Sequence, residues 1–239
     1  MKEKQSKKII KQAFEEFENL GACLSGGKDS SVMTKLILDV VKENGYEQPV
    51  FLVCDPIPFK ESEEFCRKII KEFGLKRTVF NTQIISEKFL DKARPFGVDR
   101  KKCCYWLKVK PMEEFLKKFR IDGLFVAIRH DEHPEREKEG YFSKKSEPVE
   151  HTRIHPMLHW TWLDIWEYIK ENNLPFNPLY LKGYTSLGCS ICTKPVKSDG
   201  FKDVDEIIDF VKSGKIKERA GRDLNKEMAM DRLRMLGYY

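Results

Sequence analysis

The stretch Leu24-Ser25-Gly26-Gly27-Lys28-Asp29-Ser30-Ser31 decides how this chain is read. It follows an apolar run, Leu20 to Leu24, and precedes a helical pattern, Val32 to Val41. A strand, a tight turn and a helix N-terminus together turn backbone N–H groups toward phosphate. Gly26 and Gly27 permit positive φ and a close backbone approach. Ser25, Ser30 and Ser31 offer hydroxyls, and Lys28 adds a point charge. An ordinary glycine turn capped by Asp29 or Ser30 explains the glycines but not the lysine and serines beside them.

The loop is not a Walker A motif, whose four-residue spacer and Gly-Lys-Ser/Thr ending are both missing. Nor is it the dinucleotide fingerprint G-x-G-x-x-G. It resembles the Ser-Gly-Gly-x-Asp-Ser pyrophosphate loop of the N-type ATP pyrophosphatases, or adenine nucleotide α-hydrolases. In that group the loop holds β,γ-phosphates or a sulfate equivalent, and chemistry occurs at the α-phosphate.

Outward from the loop, periodicity predicts helices over 4–18, 29–43, 61–73, 104–119 and 203–213, and another led by Thr161. Apolar runs predict strands at 21–24, 49–54, 77–85 and 123–128. Strands alternating with helices give the α/β class: a Rossmann-like three-layer α/β/α fold with a mostly parallel sheet, plus a C-terminal helical and basic tail. The expected division is a nucleotide-binding unit over 1–200 and a tail over 201–239 covering the site. Ligands then sit at the carboxyl ends of the strands. The loop, Cys54-Asp55 and Arg129-His130-Asp131 all fall there. Residues 130–151, polar and charged, read as a mobile loop over the site. Trp160, Trp162 and Trp166 are spaced like a packed helix face.

The 239 residues are 41% hydrophobic and 34% charged, enough for a full core under a charged surface. The net charge of +6 is dispersed, which favours anionic ligands such as nucleotides and disfavours nucleic acid. No apolar stretch approaches membrane-spanning length, so a cytoplasmic location without membrane contact is expected. Of the seven cysteines, Cys23, Cys54 and Cys66 lie in apolar patterns as small buried hydrophobes. Cys189-x-x-Cys192 alone could be a redox pair, half a metal site or neither. Adding Cys103-Cys104 points to metal, because four thiolates suit zinc or a [4Fe–4S] cluster. Adjacent cysteines diverge on a helix and serve one small ion poorly, so the cluster is favoured over zinc. Arg129 could neutralise charge on a phosphate or sulfate, and His130 beside it is the expected second catalytic group. A salt-bridged loop is the competing reading.

Other segments carry a resemblance to the PAPS reductase superfamily, which contains adenylyl-sulfate reductases and the small subunit of two-subunit ATP sulfurylase. Cys103-Cys104-Tyr-Trp-Leu-Lys108-Val109-Lys-Pro111-Met is similar to the reductases' Cys-Cys-x-x-x-Lys-Val-x-Pro-Leu block. Trp160 to Trp166, Asn172 to Tyr180 and Gly183 to Thr193 are similar to further family segments. The resemblance implies that Cys103, Cys104, Cys189 and Cys192 hold a [4Fe–4S] cluster. The reductases' C-terminal Glu-Cys-Gly-Ile/Leu-His segment has no counterpart, since no cysteine follows Cys192. The end, Glu218-Arg219-Ala-Gly221-Arg222 through Met230 to Gly237-Tyr238-Tyr239, instead resembles the sulfurylase small subunit's tail and adds Arg219 and Arg222 to the expected nucleotide contacts. These features predict adenylyl transfer from ATP with pyrophosphate release: Lys28, Arg129 and His130 are catalytic, and Mg²⁺ bridges the phosphates. The alternatives are an adenylyl-sulfate or PAPS reductase whose thiol comes in trans, a thiolation enzyme acting on tRNA or DNA, and a non-catalytic nucleotide sensor. The expected partners are sulfate or a sulfur donor, a partner subunit or thioredoxin-like reductant, and a second copy in a homo-oligomer.

Overall fold

The computed structural model describes residues 1–146, 149–228 and 231–232. Six strands form one sheet: β1 (Leu20–Leu24), β2 (Val50–Val53), β3 (Thr78–Phe80), β4 (Gly123–Phe125), β5 (Phe142–Lys145) and β6 (His151–Ile154). Their order is β3-β2-β1-β4-β6-β5, parallel throughout except that β5 runs antiparallel to β6. The helices are α1 (Lys2–Glu16), α2 (Lys28–Asn44), α3 (Lys60–Glu72), α4 (Glu87–Ala93), α5 (Arg100–Cys104), α6 (Lys110–Phe119), α7 (Trp162–Glu171), α8 (Val204–Lys212) and α9 (Leu224–Glu227). A π-helical turn, Tyr105–Val109, joins α5 to α6.

Register sorts side chains onto two faces, because successive strand residues alternate. Ala22, Phe51 and Phe125 are in register and pack toward Ile10 of α1, Leu36 of α2, Phe65 of α3 and Trp166 of α7. On the other face Val50, Leu52 and Leu124 meet Phe115 and Leu116 of α6. The first cluster is much the larger. The α/β class with helices on both sheet faces is therefore observed, and Trp160 and Trp166 are core residues.

Several boundaries differ from expectation. Only Thr78–Phe80 of the run 77–85 is strand; a 3-10 turn, Asn81–Gln83, follows, and α4 had no clear periodicity to announce it. Residues 130–151, expected as a loop, hold two 3-10 turns, β5 and the first residue of β6. Lys144 and Lys145 give β5 the charged character that protects a sheet edge. All four β6 residues are buried although three are polar, which hid the strand from a reading based on apolar runs. Met230 and Gly237 to Tyr239 lie outside the described residues. No described helix is long and apolar enough to cross a membrane.

Candidate functional site

The loop after β1 is held from behind. Gly26 has φ +72°, and a Cβ there would lie 2.8 Å from Cys66 Sγ, so glycine is required on both counts. Asn177 Nδ2 donates to the Gly26 carbonyl at 3.2 Å and to Ser62 Oγ at 3.0 Å. The Lys28 N–H donates to the Tyr180 hydroxyl at 3.0 Å. Ser30 Oγ donates to the Gly27 carbonyl at 2.9 Å and accepts from the Ser25 N–H at 3.2 Å. Asn177 and Tyr180 were visible in sequence only as parts of a family segment, with no role attached.

Behind the loop lies a buried ionic cluster. Lys28 Nζ pairs with Asp29 Oδ2 at 2.8 Å and with Glu218. Arg129, with no exposed surface, pairs with Asp29, with Glu218 and with Asp131 Oδ1 at 2.9 Å. Burial pushes the Lys28 ammonium down, against the pull of Glu218. Burial also pushes the Glu218 carboxyl up, but Arg129 and Lys28 outweigh it and bring the value to about 2. Carboxylate oxygens of Asp29, Glu132 and Glu218 lie within 4.8 Å of one another. His130 is placed elsewhere: its ring faces the Glu139 carbonyl at 3.0 Å, and it lines neither cavity described next.

Two adjoining cavities open at the carboxyl ends of the strands, of about 180 and 100 Å³, and both are bordered by Ser25, Ser30, Arg136 and Arg222. The larger lies on the α6 side of the sheet. Cys23, Leu52, Leu124 and Val126 give it an apolar wall, while Asp55, Lys108 and Arg153 add charge. Burial pushes the Asp55 carboxyl up, against Lys108 and Arg222, and its Oδ1 has no hydrogen-bond partner among the described residues. The Cys54 thiol faces the same cavity and is pushed far up, first by hydrogen bonding to Cys23 and then by burial. Arg222 donates to Ser186 Oγ at 3.0 Å, to Thr193 Oγ1 at 3.2 Å and to the Leu187 carbonyl. Its guanidinium lies where a Cβ on Gly188 would go. Arg219 makes a two-point contact with Glu227, 2.7 Å each, and borders the smaller cavity.

Cys103, Cys104, Cys189 and Cys192 are all buried and all free thiols. Burial pushes Cys103 up, and Cys104, Cys189 and Cys192 act on it in the same direction, so the two pairs converge. Among the described residues no three of these thiols come within 4.8 Å of one another. Tetrahedral zinc with bonds of about 2.3 Å draws its four sulfurs to roughly 3.8 Å apart, closer than this site holds them. A polynuclear cluster accepts the wider spacing. The π-helical turn follows Cys104 directly and carries Lys108 to the larger cavity, and Gly188, beside Cys189, lines that cavity too. Such turns recur at functional sites.

A family model of the phosphoadenosine phosphosulfate reductase domain matches residues 19–195. An adenosine 5'-phosphosulfate reductase of Lysinibacillus sphaericus is 32% identical over 196 residues, spanning 78% of this chain and 79% of the relative. Among solved structures, a Candida glabrata FMN adenylyltransferase bound to FMN and an ATP analogue superposes with TM-score 0.66 at 22% identity, over 92% of this chain and 88% of that one. A Candida auris phosphoadenylyl-sulfate reductase superposes with TM-score 0.61 at 18% identity, over 78% and 88%. At those identities both share the fold only. The relatives named as reductases overturn the expectation of adenylyl transfer from ATP, which had rested on the loop and the tail. In the site, Lys28 and Arg129, expected to act on phosphates, are paired with Asp29 and Glu218.

Proposed function

The chain belongs to the phosphoadenosine phosphosulfate reductase domain family, and on that premise we propose that it reduces adenylyl sulfate to sulfite and AMP, with the thiol supplied by a partner. The observation that carries the reading is the larger cavity. It joins Ser25 and Ser30 of the phosphate loop to Lys108 and Gly188, which flank the two cysteine pairs. Adenine fits the apolar wall of Cys23, Leu52, Leu124 and Val126, with Cys54 and Asp55 beside it. Ser25, Gly26, Gly27 and Ser30 receive the phosphate end, and Lys108 and Arg222 face the sulfonyl group. Lys28, Asp29 and Arg129 fix the loop's shape, with Arg219 anchoring the covering segment over 201–228.

A partner thiolate attacks the sulfonyl sulfur while the sulfur–oxygen bond to AMP breaks. AMP leaves with that electron pair, and a thiosulfonate forms on the partner. The partner's second thiol then attacks its first sulfur, sulfite departs, and a disulfide remains. Two thiols are oxidised and one sulfonyl group is reduced. Lys108 and Arg222 stabilise the charge that grows on the leaving phosphate. Cys54 is a poor source of the nucleophile, because its thiol is held protonated.

The convergent, widely spaced thiols of Cys103, Cys104, Cys189 and Cys192 fit a [4Fe–4S] cluster better than zinc, and these four would hold it. When bound, the cluster ties the two cysteine segments together and polarises the adjacent end of the cavity. Asp29, Glu132 and Glu218 are the carboxylates that could hold Mg²⁺, but they are already paired with Lys28, Arg129 and Arg136, and no step above requires the ion.

The test is anaerobic assay of the purified chain with adenylyl sulfate and a dithiol protein, alongside ATP with sulfate. AMP and sulfite in equal amounts, without pyrophosphate from ATP, are expected. Pyrophosphate release, or no sulfite with any dithiol, overturns the reading.

A further inference from the structure

Behind the phosphate loop, two buried cations share one of the protein's own carboxylates. Lys28 and Arg129 are almost wholly buried, and both pair with Glu218, 7% exposed. Glu218 arrives from the 3-10 turn Glu218–Gly221, whose first carbonyl accepts from Thr185 Oγ1 at 2.6 Å. That segment is pinned again by the Thr193–Arg222 bridge and by the Lys194 N–H donating to the Gly221 carbonyl at 2.9 Å. The carboxylate is therefore held where it is by backbone as well as by charge.

The pairing of these cations limits what can follow it in. Lys28 and Arg129 supply two positive charges; Asp29, Asp131 and Glu218 supply three negative ones. Arg136, Arg219 and Arg222 border the same cavity, but Lys28 and Arg129 are already paired, so an entering phosphate reaches them only by displacing the Glu218 carboxylate. Like charges brought together out of water repel strongly.

We propose that Glu218 is a specificity-determining residue whose carboxylate fills the seat between Lys28 and Arg129, so that the loop accepts a nucleotide ending in one phosphate or phosphosulfate and rejects a diphosphate tail. The inference rests on reading the larger cavity as a nucleotide site. It also accounts for a Ser-Gly-Gly-x-Asp-Ser loop serving a substrate that has no pyrophosphate to give.

The test is calorimetric titration of the full chain with inorganic pyrophosphate and, separately, with AMP, without divalent cations, for the wild type and Glu218→Gln. The expected result is that the ratio of pyrophosphate to AMP affinity rises at least about tenfold in the variant, since a buried like charge has been removed. An unchanged ratio overturns the inference. So does Mg²⁺ that raises wild-type pyrophosphate affinity above that of the variant, because Glu218 would then be a cation ligand with Asp29 and Glu132. If the variant does not fold, the wild type still decides: thermal stabilisation by AMP and not by equimolar pyrophosphate supports the proposal, and equal stabilisation overturns it. Wild type that ignores AMP sinks the nucleotide reading, while the pyrophosphate comparison still judges Glu218.

Discussion

Asn177 and Tyr180 support the phosphate loop from behind, and their removal measures how far the loop depends on them. Asn177→Ala leaves the Gly26 carbonyl and Ser62 hydroxyl without the donor they share. A cost of about 1–3 kcal/mol is expected, read as a lower denaturant midpoint. Tyr180→Phe strands the Lys28 N–H in a buried place and is expected to weaken AMP binding as well. Lys108→Ala is expected to lower kcat/KM for adenylyl sulfate by about 100-fold, the scale of losing one charge-stabilising group. These residues were only partly legible beforehand. The loop announced itself because Gly-Gly beside Lys and Ser has few other uses. Asn177, Tyr180 and Glu218 sit far from it in sequence, and only folding brings them together. Arg153 gave no signal at all, since a buried arginine in a strand breaks the pattern by which strands are read.

Among the elements, α7 offers the cleanest test of local encoding. Thr161 Oγ1 accepts from the Asp164 N–H at 3.3 Å, and the Asp164 carboxylate accepts from the Thr161 N–H at 2.5 Å, a capping box. Thr161→Ala is expected to cost about 1 kcal/mol, which in a chain of this size lowers Tm by roughly 2–4 °C in a thermal scan. This cap was readable because it depends on residues three apart. β5 and β6 were not readable. Their polar side chains serve a buried network in which Lys145 donates to Glu139 at 3.1 Å and His155 lies 3.8 Å from the same carboxylate.

That network sets an acid limit on stability. Burial, then Arg153, pushes His155 down to about 3, and burial pushes His151 down to about 4, both from 6.5. In the unfolded chain both titrate near 6.5, so as pH falls through 6.5 toward 3–4 the unfolded state binds more protons and stability drops. Burial raises the Glu139 carboxyl, but the Ser143 hydroxyl and Lys145 outweigh it and hold the group near 2, below its ordinary 4.5. Its contribution is complete above pH 4.5 and is lost as pH falls toward 2. Tm is expected to decline from about pH 6.5 downward, with a shallower decline between pH 6.5 and 3 for His155→Gln. An identical slope in that variant would show that His155 is not responsible.

At the scale of the whole molecule, the fold class followed from alternation of apolar runs with helical periodicity, and the structure agrees. The function did not follow, because the loop's sequence describes a cradle without naming the group it holds. Leu36→Ala, in the large cluster, is expected to cost about 2–5 kcal/mol in denaturant unfolding.

The two sheet faces are unequal, with most helices on one side and α6 on the other, where the larger cavity opens. On the proposed function, stability and substrate choice are lodged in different places. A lineage could exchange Met112 or Val126 at the cavity wall, and alter what enters, without loosening the layer that keeps the chain folded. That separation leaves the cavity wall free to change while the larger cluster keeps the chain folded.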